Sequence, residues 1–181
     1  MTDNVLNFPG GTLDLPFIDS SEGENGLGIS SLLSATGNVT LDPGFVNTAS
    51  CTSAITFING EEGILRYRGY PIEQLAEKST FLETSYLLIY GELPTPAQLA
   101  DFESRITQHT MLHEDLRRFF DGFPRDAHPM PVLSSAVSAL STFYQDSLDP
   151  FDQEQVEIST IRLLAKVTTI AAYAYKKSVG Q

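Results

Sequence analysis

The sequence predicts a mainly α protein, a multihelical body preceded by a small β-rich N-terminal lobe and a β-hairpin. Three observations predict it. Helix-start signals recur after residue 80: Thr80 with Glu83, Thr95-Pro96 with Gln98, and Asp152 before a long run. Seven of the 13 glycines fall in residues 1–44, amid Ser, Asn, Thr and Asp, where apolar pieces are short. Between these parts, "AITFI", "NGEEG" and "ILRYR" read as strand, turn and strand. The boundary is placed at residue 50, giving a lobe over 1–50 and the hairpin plus helices over 51–181.

In the lobe, "VLNF", "LDLPFI", "GLGIS" and "NVTL" are the apolar pieces, and alternation in "TLDLPFI" suggests a strand. So little apolar surface leaves a flexible arm as the alternative. In "RYRGYP", Gly69 frees the backbone and Pro71 presets φ for a helix over "IEQLAEK". Arg66 and Arg68 are expected to alternate with Tyr67 across the strand faces and to give the acidic lobe positive partners.

Thr80 and Glu83 form a capping box, and Gly91 suits a left-handed end to "FLETSYLLIYG". A second box opens a helix with Leu99, Phe102 and Ile106 on one stripe. "EDLRRFFDGF" predicts a third helix with Leu116, Phe119, Phe120 and Phe123 inward, stopped by Pro124. Pro129 and Pro131 bracket the start of "VLSSAVSALSTFY", whose small side chains predict packing on several sides. Asp152 caps a helix running to about Lys177, roughly 37 Å long. Its apolar face includes Ile161, Leu164, Ile170, Ala171 and Ala174, and Lys176 and Lys177 suit its C-terminal dipole.

Charge excludes some functions. Residues 1–65 carry −8 with no Lys or Arg, and the remainder carries −4, for a net −12. Such a chain repels phosphate backbones, so no nucleic-acid partner is expected. One cysteine, Cys51, fits a reducing compartment, and the N-terminus lacks a signal peptide's basic and apolar regions. No apolar run reaches the roughly 18 residues of a membrane span. A cytoplasmic protein with no membrane partner is expected.

Chemistry-bearing motifs are sparse. Gly26-x-Gly28 lacks a third glycine and a preceding strand, and neither a P-loop nor a G-x-S-x-G elbow occurs. His109 and His113, four apart, would share a helix face, with His128 as a third ligand, but the H-E-x-x-H order is missing. Hydrogen bonds near helix starts are the preferred role for these histidines, and no metal site is expected. Cys51 has no basic neighbour to activate it. "QDSLDPFDQEQ" lacks the spacing of a calcium loop and reads as a loop plus an N-cap. Arg162 and Lys166 lie one turn apart on a largely apolar helix. They require anions: Asp or Glu on a neighbouring helix, the preferred reading, or a phosphate ligand.

From about residue 40 to the end, the chain resembles the citrate synthases, in the type II, hexamer-forming bacterial branch and an actinobacterial-like version. The pieces that carry the resemblance are "GILRYRGYPIEQLAE", "LLIYGELPT", "RDAHPMP" and "YKKSVGQ". It implies the N-terminal portion of an enzyme that condenses acetyl-CoA with oxaloacetate to citrate and CoA. 2-Methylcitrate synthase is the near neighbour. In the family an Asp removes a methyl proton, one His stabilises the enol and a second polarises the oxaloacetate carbonyl.

Those residues lie in later segments, so the resemblance places no catalytic residue and no tightly bound cofactor here. None of His109, His113 and His128 matches a catalytic position. Family chains are more than twice this length, so a fragment is expected. The alternative is a stand-alone, catalytically dead module that dimerises and binds a nucleotide. The helices around 131–145 and 153–177 resemble those of the family's dimer interface, implying a dimer-based homo-oligomer, with a hexamer as the branch's form. His109, Thr110, Tyr144, Arg162 and Lys166 match parts of an allosteric NADH site found in some members. Gln108 stands where those enzymes carry Arg, and Thr168 where a Pro is usual.

Overall fold

The computed structural model describes residues 4–180; Met1, Thr2 and Asp3 of the lobe and Gln181 of "YKKSVGQ" lie outside it. The chain forms two compact units, one up to Leu93 and one from Pro94 onward. Position 50 therefore falls inside the first unit. As expected, the fold is mainly α, with seven α-helices and short strands among the described residues.

The first unit opens with two small antiparallel pairs. β1 (Val5–Phe8) pairs with β2 (Gly11–Asp14), and β3 (Phe17–Ile18) with β4 (Gly26–Leu27). Pro16 lies between β2 and β3, so "TLDLPFI" yields two strands rather than one. "NVTL" is not a strand: Val39 and Leu41 are exposed. A short helix the sequence did not signal, α1 (Leu32–Thr36), ends at Gly37 with φ 73°. The buried apolar residues among those described up to residue 50 are Leu15 and Leu32.

The expected hairpin is present as β5 (Thr56–Asn59) and β6 (Ile64–Tyr67), with Asn59 opposite Ile64. Asn59 builds the turn itself: its side-chain oxygen accepts from the backbone N–H groups of Glu61 and Glu62, both at 3.1 Å. A third strand, β7 (Tyr70–Pro71), pairs back on β6 with Tyr67 opposite Tyr70. The two-residue loop between them, Arg68-Gly69, has φ 49° and 86°. Positive φ at both positions is the type I′ pattern, whose twist matches the flanking strands.

This corrects the expected alternation. Arg66 does serve the acidic lobe, binding Glu22 at 2.5 Å. Arg68 has left the strand, and its guanidinium donates to the carbonyls of Ala54 (3.4 Å) and Leu88 (2.9 Å). Gly69→Ala is expected to destabilise the protein by about 1–2 kcal/mol, the cost of a Cβ in left-handed backbone. No neighbouring atom lies within reach of that Cβ, so the cost is conformational. A urea unfolding midpoint unchanged by the substitution would refute the turn assignment.

Helix α2 (Ile72–Lys78) follows, with Pro71 as its N-cap rather than its first residue. α3 (Phe81–Tyr90) carries the complete Thr80/Glu83 box and ends at Gly91 with φ 92°. Leu75 and Leu87 are its unit's buried residues on these two helices.

The second unit begins with α4 (Pro96–Gln108), opened by the Thr95/Gln98 box, with Phe102 buried. α5 (Glu114–Phe119) passes into a 3₁₀ turn over Phe120–Gly122. Leu116 and Phe120, one turn apart, are buried, but Phe119 is 37% exposed, against expectation. α6 (Pro129–Leu140) buries Val132, Ala136 and Leu140, one face only; Pro131, Ser134 and Ser138 are exposed. The small-residue helix is thus packed on one side within this chain.

The long helix α7 (Gln153–Ser178) starts at Asp152, whose carboxylate accepts from Glu154 and Gln155 N–H groups. Its 26 residues span about 39 Å. Ile161, Ala165 and Ile170 are buried on it, and Ala171 is exposed, not inward. Leu112, Leu116, Phe120, Val132, Ala136, Leu140 and Ile170 form the core where α5 and α6 meet α7. Each large apolar side chain fully buried there contributes about 1.5–3 kcal/mol. Among the described residues, no helix is long and apolar enough to cross a membrane.

Candidate functional site

The five candidate residues come together in the second unit, where the end of α4 and the turn before α7 meet the first half of α7. His109 terminates α4: its N–H donates to the Ile106 carbonyl at 3.1 Å. Its ring Nδ1 lies 2.8 Å from the Arg105 carbonyl. A carbonyl only accepts, so Nδ1 carries the proton. The Thr110 hydroxyl donates to the Thr107 carbonyl (3.0 Å), and the Thr110 carbonyl accepts from the Thr169 hydroxyl (2.9 Å).

Lys166 is the unexpected member. It is 2% exposed, the buried charged residue of the chain among those described. Its ammonium donates to the carbonyls of His109 (2.6 Å) and Met111 (2.7 Å). It thus meets backbone oxygens at the negative end of the α4 dipole, not the anion the sequence led us to expect. Arg105 adds an ion pair from α4 to α7 through Glu157 at 2.6 Å.

Arg162, one turn earlier, does find a carboxylate. Both terminal nitrogens bind Asp146, at 2.8 and 2.9 Å, and one also donates to the Ser147 hydroxyl at 2.9 Å. The side chain is 15% exposed, and its buried Nε has no hydrogen-bond partner. Tyr144 lies under both cations: the Arg162 guanidinium carbon is 4.6 Å from the ring centre and the Lys166 nitrogen 5.1 Å. Such contacts contribute about 0.5–2 kcal/mol, more when water is excluded.

Hydrogen bonding to Asp146 raises the Arg162 pKa, against the opposing effect of burial. The same bond holds the Asp146 carboxyl below its ordinary value. A carboxylate with a lowered folded pKa contributes stability in full above its unfolded value, about pH 4. That contribution fades as pH falls through the lower folded value. Asp146→Asn is therefore expected to flatten the acid limb of the stability profile, read from unfolding midpoints between pH 7 and pH 3.

His109 and His113 do not share a helix face, because Thr110–Leu112 separate α4 from α5. His113 and His128 are N-caps of α5 and α6, each accepting a backbone N–H through Nδ1, from Asp115 (3.1 Å) and Met130 (3.2 Å). This is the helix-start role preferred from the sequence. Among the described residues, no three or more His, Cys, Asp or Glu side chains are placed to hold a metal ion. Cys51 is an exposed free thiol. Asp146, Ser147 and Thr169 are the partners sequence reasoning missed. Asp146 was visible only as part of an acidic loop, and its 16-residue separation from Arg162 follows no helix spacing.

Chemically, the arrangement is a lock. Two cations on one helix are held by a carboxylate, a hydroxyl, two carbonyls and one aromatic face.

Comparison with known proteins places this geometry in a family. The family model described as "Citrate synthase, C-terminal domain" matches residues 44–181. The chain is 68% identical over 177 residues to citrate synthase 1 of Mycobacterium tuberculosis, covering 98% of this chain and 41% of that protein. It is 53% identical over 182 residues to the citrate synthase of Corynebacterium glutamicum, covering 99% and 42%. The crystal structure of citrate synthase from Pyrobaculum aerophilum superposes with a TM-score of 0.68 at 30% identity, covering 99% of this chain and 40% of that one. The chain thus spans about two fifths of the length of the curated relatives it matches. A family match running from residue 44 onward, on the mainly α fold of a solved relative, makes this chain a member of the citrate synthase family.

Proposed function

We propose that this chain is the N-terminal part of a cytoplasmic citrate synthase, which as a whole condenses acetyl-CoA with oxaloacetate to citrate and CoA. The observation that carries this reading is the identity with the mycobacterial enzyme along nearly the whole chain. In the whole enzyme of which this chain is a part, these residues serve as scaffold. The catalytic carboxylate and imidazoles come from the part of the enzyme the chain does not span. The outward faces of α6 and α7 meet a second subunit in a dimer-based homo-oligomer.

The test is made on the polypeptide as its host produces it, purified with intact mass recorded. Release of CoA thiol is expected only when acetyl-CoA and oxaloacetate are both present, with propionyl-CoA a poorer substrate. A 19.8 kDa product releasing no thiol would overturn the reading. Faster turnover of propionyl-CoA would make the enzyme a 2-methylcitrate synthase.

A second proposal concerns regulation. Arg162 and Lys166 over one tyrosine ring favour an anionic, aromatic effector such as NADH. Its phosphate would take Arg162 from Asp146, an exposed carboxylate. Inhibition by NADH in the thiol assay, weakened in Arg162→Ala, supports this. A rate indifferent to NADH ends it.

A further inference from the structure

We infer that Asn59 is a site of self-modification, where the backbone nitrogen of Gly60 attacks the Asn59 side-chain amide, expels ammonia and leaves aspartate or isoaspartate in the β5–β6 turn. Every group the reaction needs lies within residues 59–62, water is the co-reactant, and the proposed activity plays no part in it. The chain has two Asn-Gly dipeptides, Asn25-Gly26 and Asn59-Gly60. Glycine lacks a Cβ, so its nitrogen is the least hindered in reaching the side chain before it. The two dipeptides differ in how the asparagine is held. Asn59 Oδ1 accepts from the N–H groups of Glu61 and Glu62, both at 3.1 Å. Those donors follow Asn59 in the chain, so its side chain is folded forward over the Gly60 peptide. They also withdraw electrons from Cγ, and they point where negative charge grows on Oδ1 during the attack. Gly60 is exposed, and its N–H donates to no described residue. Beyond its chain neighbours, no atom lies within 4 Å of where a Cβ would stand. At Asn25 the side chain is turned the other way. Its Oδ1 accepts from the N–H (2.9 Å) and the hydroxyl (3.3 Å) of Ser20, earlier in the chain. Gly26 is a strand residue opposite Ile18, and a Cβ on it would meet the Ile18 side chain at 3.5 Å.

The step balances with water alone. Gly60 gives its amide proton to solvent base, and its nitrogen bonds to Asn59 Cγ. The Cγ–Nδ2 bond breaks, and Nδ2 takes up a proton and leaves as ammonia. The product is a cyclic imide, which water opens at either carbonyl. Opening at Cγ gives aspartate. Opening at the main-chain carbonyl gives isoaspartate, whose backbone runs on through Cγ with one added methylene. Either product adds a negative charge to a turn that already carries Glu61 and Glu62. The added methylene of isoaspartate also moves position 59 out of register with Ile64, the last pair of the hairpin.

The experiment ages the host-produced protein in mildly alkaline buffer, digests it and reads the peptides by mass spectrometry with electron-transfer fragmentation, which tells isoaspartate from aspartate. Isoaspartate is the informative product, because direct hydrolysis of the amide yields aspartate alone. Asn59 is expected to convert about tenfold faster than Asn25, since its side chain is folded toward the attacking nitrogen. Gly60→Ala should slow Asn59 about tenfold by crowding that nitrogen, while Asn25 ages as before. The variant keeps the fold: Gly60 is not in left-handed backbone, and the added Cβ meets open space. Raised ionic strength should speed the reaction, because Glu61 and Glu62 oppose the anionic nitrogen and salt screens them. Equal rates at Asn59 and Asn25, a Gly60→Ala variant that ages like the parent, or aspartate without isoaspartate at Asn59 would each overturn the proposal.

Discussion

Lys166→Met is expected to destabilise the protein by about 2–4 kcal/mol, read as a shift in the denaturant midpoint. Methionine keeps most of the stem's volume, so the change isolates the ammonium. Two carbonyls lose charge-assisted bonds of 2.6 and 2.7 Å. Bonds to charged groups contribute about 1.5–3 kcal/mol each, and a buried acceptor left unpaired costs about 1–3. Relief from burying the ammonium offsets part of that loss. Lys166→Arg should not restore stability. A planar guanidinium cannot converge on two carbonyls that a compact ammonium reaches in a site 2% exposed. Lys176→Met, exposed on the same helix, should stay within about 0.5 kcal/mol of the parent. If Lys166→Met matched that control, the ammonium would not be what holds the end of α4 to α7.

The second large effect is a contrast between neighbours. Phe120→Ala should cost about 3–5 kcal/mol, the range for emptying an aromatic site in a core. Phe120 is 1% exposed and lies against Tyr173, ring centres 5.2 Å apart. Phe119→Ala should cost well under half of that. Phe119 is 37% exposed, and its ring meets those of Phe120 and Phe123 edge-on. Equal losses for the two variants would mean that Phe119 is packed in the core as fully as Phe120.

That contrast shows what the sequence carries and what it does not. Capping boxes at Thr80 and Thr95, the Asp152 cap and the Gly91 ending were legible because each is a local matter, decided within four residues. The Asn59 turn was legible for the same reason. A helix that changes pitch at Phe120 was not, since period counting assumes one pitch throughout. Arg68 at φ 49° was missed because arginine has no preference for left-handed backbone; the carbonyl it reaches 20 residues away holds it there. In the site, the meeting of Arg162 and Lys166 followed from helix spacing. Lys166 was misjudged because backbone carbonyls leave no mark in a sequence. The lobe's helix α1 lacked a capping side chain, so nothing announced it.

The Arg68 contact also bears on how the first unit opens in time. One guanidinium joins the tip of the β6–β7 turn to the last carbonyls of α3, at Leu88. A hairpin of four-residue strands would by itself fray within a small fraction of the global free energy. Tethered this way, it cannot release without also freeing the end of the helix. The amides of Ile64–Tyr67 and those of the last turn of α3 should therefore exchange with solvent deuterium as a single cooperative group, with matched rates that Arg68→Ala would split apart.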